Sequence, residues 1–442
     1  MDIDRLANQN PWWADKTAIE KDDKVRKVIE TGEKIVFVLK RENQVLIGPR
    51  QLGKTTALKY DAYHRIKKEN FDPRSILYYS FDSSRHFEEI LDVLDTFVSD
   101  AGKKLAYLDE VSFVPEWQRA IKQFLDSEKS RNVTLHITGS SSINLKKELM
   151  PGRGIKFFEF LPLSFREFLL GFASKEVKDF LTKHSAHDFN GAIEQSYSAY
   201  PFFRELDRRF KAYIDTGGYP DAIFDYDKAA KISDDTYDVH WNAFVSDISK
   251  AGKSIEIATA IIYGIVESYA SKINLSAIAR MQGVKSHVTV RDYIEAFEDL
   301  FVCKSIFPSA GRRYMFRKER KVYFNDPFLY NIFAKKTNII DKERESKVVE
   351  GILYNHLYRF VNKNKTIAEP KTAVSFYSGK REVDFVVGDF GFEAKWQNEV
   401  RSSDFPNVGI RHKILLSKKT LQTGKDSVKI LPLPLFLSVL SV

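Results

Sequence analysis

Gly48-Pro49-Arg50-Gln51-Leu52-Gly53-Lys54-Thr55 is the stretch that decides the fold, because it carries the glycine spacing and terminal Lys-Thr of a phosphate-binding loop. Val45-Leu46-Ile47 before it is apolar and partly β-branched, the composition of a buried strand, and Thr56-Ala57-Leu58-Lys59-Tyr60 after it can open a helix. Strand, loop and helix in that order are the context the motif requires. Gly48 and Gly53 let the backbone turn so that the N–H groups of Pro49 to Thr56, proline excepted, face phosphate oxygens, and the positive end of the helix adds to the attraction. In that reading Lys54 reaches the β- and γ-phosphates of ATP, Thr55 ligates Mg²⁺, and Arg50, Gln51, Leu52 and Thr56 complete the cofactor-binding stretch.

Downstream, Leu105-Ala106-Tyr107-Leu108-Asp109-Glu110 is an apolar strand ending in two acids. Asp109 is placed to hold Mg²⁺ through water and Glu110 to polarise the water that attacks ATP. A third strand, Val133-Thr134-Leu135-His136-Ile137-Thr138, ends in Gly139-Ser140-Ser141-Ser142, so Thr138 and Ser140 offer hydroxyls to the γ-phosphate or the water. Loop, acids and hydroxyls at successive strand ends predict an α/β ATPase sheet with its ligand at the strand C-termini. Ser75-Ile76-Leu77-Tyr78-Tyr79-Ser80-Phe81-Asp82 reads as one more such strand. Arg153 could complete its own or a neighbouring γ-phosphate site, or be a plain surface arginine.

A length of 442 residues predicts two to four domains, and a net charge of +9 favours a polyanionic partner: nucleic acid, with DNA the first expectation ahead of RNA. The lone Cys303 excludes an internal disulfide and any all-cysteine metal site, which fits a reducing cytoplasm. Acidic residues at 2 and 4 without an apolar run predict no signal peptide. No apolar stretch is long enough to span a bilayer, so no membrane partner is expected. The pair Trp12-Trp13 in a helical preface reads as cover for a core.

The loop, the Leu-Asp-Glu strand, Thr138 to Ser142, Gly152-Arg153 and Leu161-Pro162-Leu163-Ser164-Phe165-Arg166-Glu167-Phe168 together resemble AAA-superfamily ATPases of archaea and bacteria that carry a C-terminal domain of unknown function. Gly217-Gly218-Tyr219-Pro220 and Lys321-Val322-Tyr323-Phe324-Asn325-Asp326-Pro327 continue the resemblance in order. It implies an AAA-like P-loop core with a preface at 1–170, a helical lid at 171–255, a winged helix at 256–335 and a restriction-endonuclease-like α/β domain at 336–442. Such relatives often form rings, which leaves a homo-oligomer open.

In the third region two short helices around Gly283 form a helix-turn-helix, with Val290, Ile294, Phe297 and Leu300 or Phe301 buried. Lys285, Ser286, His287, Thr289 and Arg291 are then available to DNA, and Arg312, Arg313, Arg317, Lys318, Arg320 and Lys321 make a basic hairpin that could serve as a wing. The alternative is a packing module.

In the last region Glu382-Val383-Asp384-Phe385-Val386-Val387 and Gly391-Phe392-Glu393-Ala394-Lys395-Trp396 alternate as strands, after a helix that carries Glu350. An Asp, then Glu-x-Lys on the next strand, looks like the PD-(D/E)XK nuclease core. The resemblance implies Mg²⁺ on Asp384 and Glu393, with Glu350 as a further ligand, and Lys395 orienting the attacking water; Gln397 would share that strand face. No proline precedes Asp384, where the motif's name has one. The function expected is an ATP-hydrolysing protein acting on DNA, with Mg²⁺-dependent cleavage of structured or branched DNA in prospect. The alternative is a nucleotide-operated signalling or defence switch whose C-terminal domain is a non-catalytic docking module.

Overall fold

The computed structural model describes residues 3–98, 102–139, 152–310, 313–314, 319–422 and 427–442. Ser140 to Ser142, Arg312, Arg317 and Lys318 lie outside these. The chain divides into two compact units, Met1–Leu161 with Lys365–Pro370, and Pro162–Asn364 with Lys371–Val442.

In the first unit α1 (Ile3–Gln9) and α2 (Asp23–Glu30) precede β1 (Gln44–Ile47), α3 (Lys54–Lys67), β2 (Ile76–Ser80), α4 (Glu88–Phe97), β3 (Lys104–Asp109), α5 (Trp117–Leu125), β4 (Val133–Gly139) and β5 (Lys156–Glu159). The five strands are all parallel, in the order β2-β3-β4-β1-β5. Every residue of β1 and β3 is buried, as expected of strands covered on both faces. Because β4 lies between β1 and β3, the loop after β1, the acids ending β3 and the hydroxyl ending β4 emerge side by side.

The edges of this sheet are closed by side chains and by a return of the chain. Asn10 donates to Tyr78 O (2.9 Å) and accepts from Tyr78 N (2.6 Å), both indoles donate to Ile76 O (Trp12 at 3.1 Å, Trp13 at 2.7 Å), and Gln9 accepts from Ser80 N (2.9 Å). The preface therefore acts as an edge strand made of side chains, which satisfies the outer backbone groups of β2 and blocks further pairing there. At β5, Ile367 N donates to Phe157 O at 2.8 Å.

The second unit opens with α6 (Phe165–Phe172), α7 (Lys175–Lys183), α8 (Phe189–Ser198), α9 (Phe203–Thr216), α10 (Pro220–Ala229) and α11 (Asp234–Lys250). Ser164 and Glu167 form the capping box that starts α6. Next come α12 (Ile255–Glu267), α13 (Leu275–Met281), α14 (His287–Asp299), β6 (Cys303–Ile306), β7 (Pro308–Ala310), β8 (Arg313–Tyr314) and β9 (Lys321–Phe324). Strands β6 and β9 pair antiparallel, and Ile273 bridges Arg320 beside them. Val290, Ile294, Phe297 and Leu300 are buried on α14.

The chain closes with α15 (Pro327–Lys336), α16 (Arg344–Asn362), β10 (Ser375–Ser378), β11 (Glu382–Val387), β12 (Phe390–Lys395), β13 (His412–Ser417), β14 (Val428–Pro432) and α17 (Leu433–Val439). A mixed seven-stranded sheet runs β14-β13-β12-β11-β10-β7-β8, so strands from residues 308–314 extend the C-terminal sheet. The fold is thus α/β, a parallel P-loop core with a C-terminal mixed-sheet region.

Three of the motifs quoted above meet in this unit. Asp326, buried, accepts from Gly218 N (2.9 Å) and Phe328 N (2.8 Å), while Leu163 N donates to Gly218 O (3.0 Å). A Cβ on Gly217 would fall 1.7 Å from Asp326 Oδ1, and one on Gly218 would fall 2.1 Å from Leu163 O. The glycine pair is thus demanded by close approach, in addition to the positive φ of 55° at Gly217.

Asn10→Ala removes both partners of the Tyr78 backbone. It should destabilise the first unit by about 2–3 kcal/mol, seen as a lower melting temperature, whereas Lys16→Ala on the exposed surface should change little.

Candidate functional site

The loop after β1 is built for an anion. Gly53 sits at φ 87° and caps α3 without any side-chain hydrogen bond, which leaves the first-turn N–H groups, Thr55 and Thr56 among them, to a ligand. Gln51 is also left-handed, at φ 61°. Gly48 is needed for another reason: a Cβ there would lie 1.9 Å from the Phe160 carbonyl oxygen. Leu52 and Pro49 are buried beneath the loop, and the Arg50 guanidinium lies 5.7 Å from the centre of the Phe113 ring. Lys54, 5% exposed, folds its ammonium back onto Gly48 O (2.9 Å) and Pro49 O (2.8 Å).

Three hydroxyls converge on Asp109, which is buried at the end of β3. Thr55 Oγ1 donates to its Oδ2 at 2.7 Å, Tyr78 OH to the same oxygen at 2.8 Å, and Thr138 Oγ1 to Oδ1. Thr138 Oγ1 in turn accepts from Glu110 N at 3.0 Å, and Glu110 is held at φ 54°, an uncommon conformation for a residue with a side chain. The structure thus brings Thr55, Asp109, Glu110 and Thr138 to one place beside Lys54. Burial and the Asp109 charge push the Tyr78 hydroxyl well up, so it stays a neutral donor.

Arg153 is not brought there. It stands three residues before β5, at the N-terminal end of the strands, with Nε on Asp126 Oδ1 (2.9 Å) and Nη2 on Oδ2 (3.2 Å). Asp126 follows α5 and precedes β4 at that same end, so within one chain this guanidinium and the loop lie at opposite strand ends.

In the C-terminal sheet, β11 and β12 pair antiparallel with Phe385 opposite Phe392, a register that sets Asp384 against Glu393. Glu393 Oε2 accepts from Asp384 N (3.2 Å), its Oε1 lies 2.8 Å from Lys395 Nζ, and Asp384 Oδ2 accepts from Ala394 N (2.9 Å). Glu350 on α16 meets something unforeseen: the ammonium of Lys321, 3.1 Å from Glu350 Oε1 and 2.7 Å from Glu382 Oε1, with Tyr323 OH donating to the same Glu350 oxygen. Lys272 holds the other Glu382 oxygen at 3.1 Å. Two expectations are corrected here. Lys321 points into this cluster and is 1% exposed, so it is not part of a solvent-facing basic wing. Strand β12 ends at Lys395, so Gln397 does not share its face.

Residues 40–169 match a family model described as an AAA domain. This region is an AAA-type P-loop ATPase domain. Residues 207–339 of the same chain match a domain of unknown function (DUF8612), and no curated protein matches. Among solved structures the chain is similar to Orc1 of Aeropyrum pernix in complex with DNA, 13% identical over 73% of this chain and 96% of that one with a TM-score of 0.30. It is also similar to the RuvB Holliday junction branch migration motor of Thermotoga maritima (15% identical, 65% and 88% covered, TM-score 0.24) and to Cdc6p of Pyrobaculum aerophilum (12% identical, 72% and 94% covered, TM-score 0.23). Scores of this size say nothing about what the AAA domain or its companion binds.

The residues of the AAA domain fit a nucleotide with Mg²⁺, since Thr55 Oγ1 and Asp109 Oδ2 are already side by side next to an uncapped helix N-terminus. Those of the C-terminal cluster fit a divalent ion poorly: Lys321 already pairs with Glu350, the expected third ligand, and with Glu382, and among the described residues no group of three or more His, Cys, Asp or Glu side chains could hold a metal. Among the described residues no helix is long and apolar enough to cross a membrane. Sequence reasoning missed Tyr78, Lys321, Tyr323 and Glu382, because none falls in a spaced motif; they reach their sites across strand pairs and through distant helices.

Burial first, then the charge of Asp384, pushes Glu350 up to about 8 and Glu393 up to about 7, and burial pushes Asp326 up to about 7. A carboxyl raised in this way binds its proton more tightly when folded, so its stabilising contribution is complete below the ordinary value near 4 and is lost as pH rises through the folded value. The melting temperature should therefore fall between about pH 5 and pH 8, and Glu350→Gln should flatten the upper part of that slope; a flat wild-type profile would contradict the burial of these acids.

Proposed function

We propose that the chain binds and hydrolyses ATP with Mg²⁺ and uses that cycle to act on DNA. The observation that carries the first half is the convergence of Thr55, Tyr78 and Thr138 on Asp109 beside the uncapped start of α3. When ATP arrives, Lys54 exchanges its two carbonyl partners for phosphate oxygens, and the α3 N–H groups take the remaining charge. Thr55 and Asp109 are the residues that would hold Mg²⁺, which would supply charge neutralisation for the phosphate oxygens. Glu110 orients and deprotonates the water, and Thr138 couples the Glu110 backbone to the Asp109 carboxylate.

For DNA the support is chemical. The net charge of +9 suits a polyanion. Helices α12 to α14 followed by the β6–β9 pair have the order of a winged helix, and Lys285 in the turn before α14 is exposed together with His287 and Arg291 on its first half. A second reading, Mg²⁺-dependent cleavage of structured or branched DNA, is favoured by one observation: Asp384 faces Glu393 with Lys395 alongside. That reading would require a divalent ion to share Glu350 with the Lys321 ammonium.

Lys54→Ala should lower ATP turnover by about 100-fold or more, because the main charge partner of the γ-phosphate is gone. Duplex or branched DNA should accelerate turnover by the wild-type chain; turnover indifferent to every DNA tested would instead support the switch. Any Mg²⁺-dependent cleavage should vanish in Glu393→Gln while ATP turnover persists, and cleavage that survives the change would remove the acid cluster from the chemistry.

A further inference from the structure

Four carboxylates (Glu350, Glu382, Asp384 and Glu393) and three ammonium groups (Lys272, Lys321 and Lys395) make up the C-terminal cluster. Fully ionised, the four acids exceed the three ammonium groups by a single charge, and the raised Glu350 and Glu393 hold protons that shift the balance toward positive, all without an added ion. Lys321 is the innermost cation, 1% exposed, and it comes from β9, a strand of the two-stranded pair with β6 that lies far earlier in the chain than the acids it neutralises.

Burying an ammonium costs several kcal/mol unless close carboxylates and hydrogen bonds offset it. Here they do. Burial draws the Lys321 pKa down, but Glu350, Asp384 and Glu382 together outweigh it and hold the group charged. Fixed donors occupy the acids as well: Tyr323 OH and Lys321 share Glu350 Oε1, Ala394 N takes Asp384 Oδ2, and Glu393 is held at both oxygens by Asp384 N and Lys395. Mg²⁺ needs six ligands at about 2.0–2.1 Å in near-octahedral order. It would have to strip these partners away and compete with the like charge of Lys321 for Glu350.

We infer that Lys321 is the resident cation of this cluster, held on Glu350, one of the three acids that the sequence pattern gives to Mg²⁺, so that the C-terminal domain is held together by an internal ion pair and takes no divalent ion while Lys321 is in place. The inference rests on the Lys321 geometry and is independent of ATP hydrolysis. It makes the nuclease reading conditional on removal of this lysine.

Mn²⁺ uptake by the full chain without nucleotide, followed by electron paramagnetic resonance, tests it. The wild type and Asp384→Asn should bind the same number of ions, any ion at the P-loop being common to both. Lys321→Met should bind one more, and adding Asp384→Asn to that variant should abolish the gain. Loss of an ion when Asp384→Asn is introduced into the wild type would overturn the inference, as would a folded Lys321→Met that gains none. Should Lys321→Met fail to fold, the wild type compared with Asp384→Asn and Glu393→Gln decides alone: equal uptake sustains the inference and reduced uptake overturns it.

Discussion

One buried carboxylate, Asp109, ties the first unit together. Its two oxygens accept hydroxyls from the first turn of α3, from β2 and from β4, so a single charged group registers the phosphate loop against the two strands that flank β3. A buried carboxylate without such donors would be strongly unfavourable, which means the hydroxyls and the charge specify each other. The strand order makes this feasible, because β4 inserts between β1 and β3 and delivers Thr138 into the gap.

The preface takes part in this through the backbone of Tyr78. Asn10 clamps both the N–H and the C=O of that residue while its phenol reaches Asp109. The two tryptophans therefore cover a core, as their composition suggested, but they also complete an edge by donating to one carbonyl. Edge protection by side chains keeps β2 from pairing with another sheet and fixes the face from which Tyr78 projects.

The second unit is organised on a comparable principle with charges of both signs. Asp326 collects two backbone N–H groups from separate segments, and the glycine pair at 217 and 218 exists because nothing larger fits beside Asp326 and Leu163. Further along, the acids of the C-terminal sheet are matched by lysines, so that what resembles a metal centre in one dimension is an ion-pair network in three.

Local chemistry made much of this legible. The P-loop, the strand ending in Asp109-Glu110, the hydroxyl at Thr138, the Ser164–Glu167 capping box and the facing of Asp384 and Glu393 all follow from short spacings, because strand and helix periodicities act over a few residues. Tertiary structure alone decided that Tyr78 joins Asp109, that Arg153 faces Asp126 at the strand ends away from the loop, and that Lys321 turns inward to Glu350 and Glu382. These contacts join residues 27 to 61 positions apart, where no period links the partners and only the packing of strands, helices and separate sheets brings them within reach. A lysine in a basic run reads as solvent-facing until a strand pair puts carboxylates around it, since its position depends on the energy of burying charge and not on its neighbours in the chain.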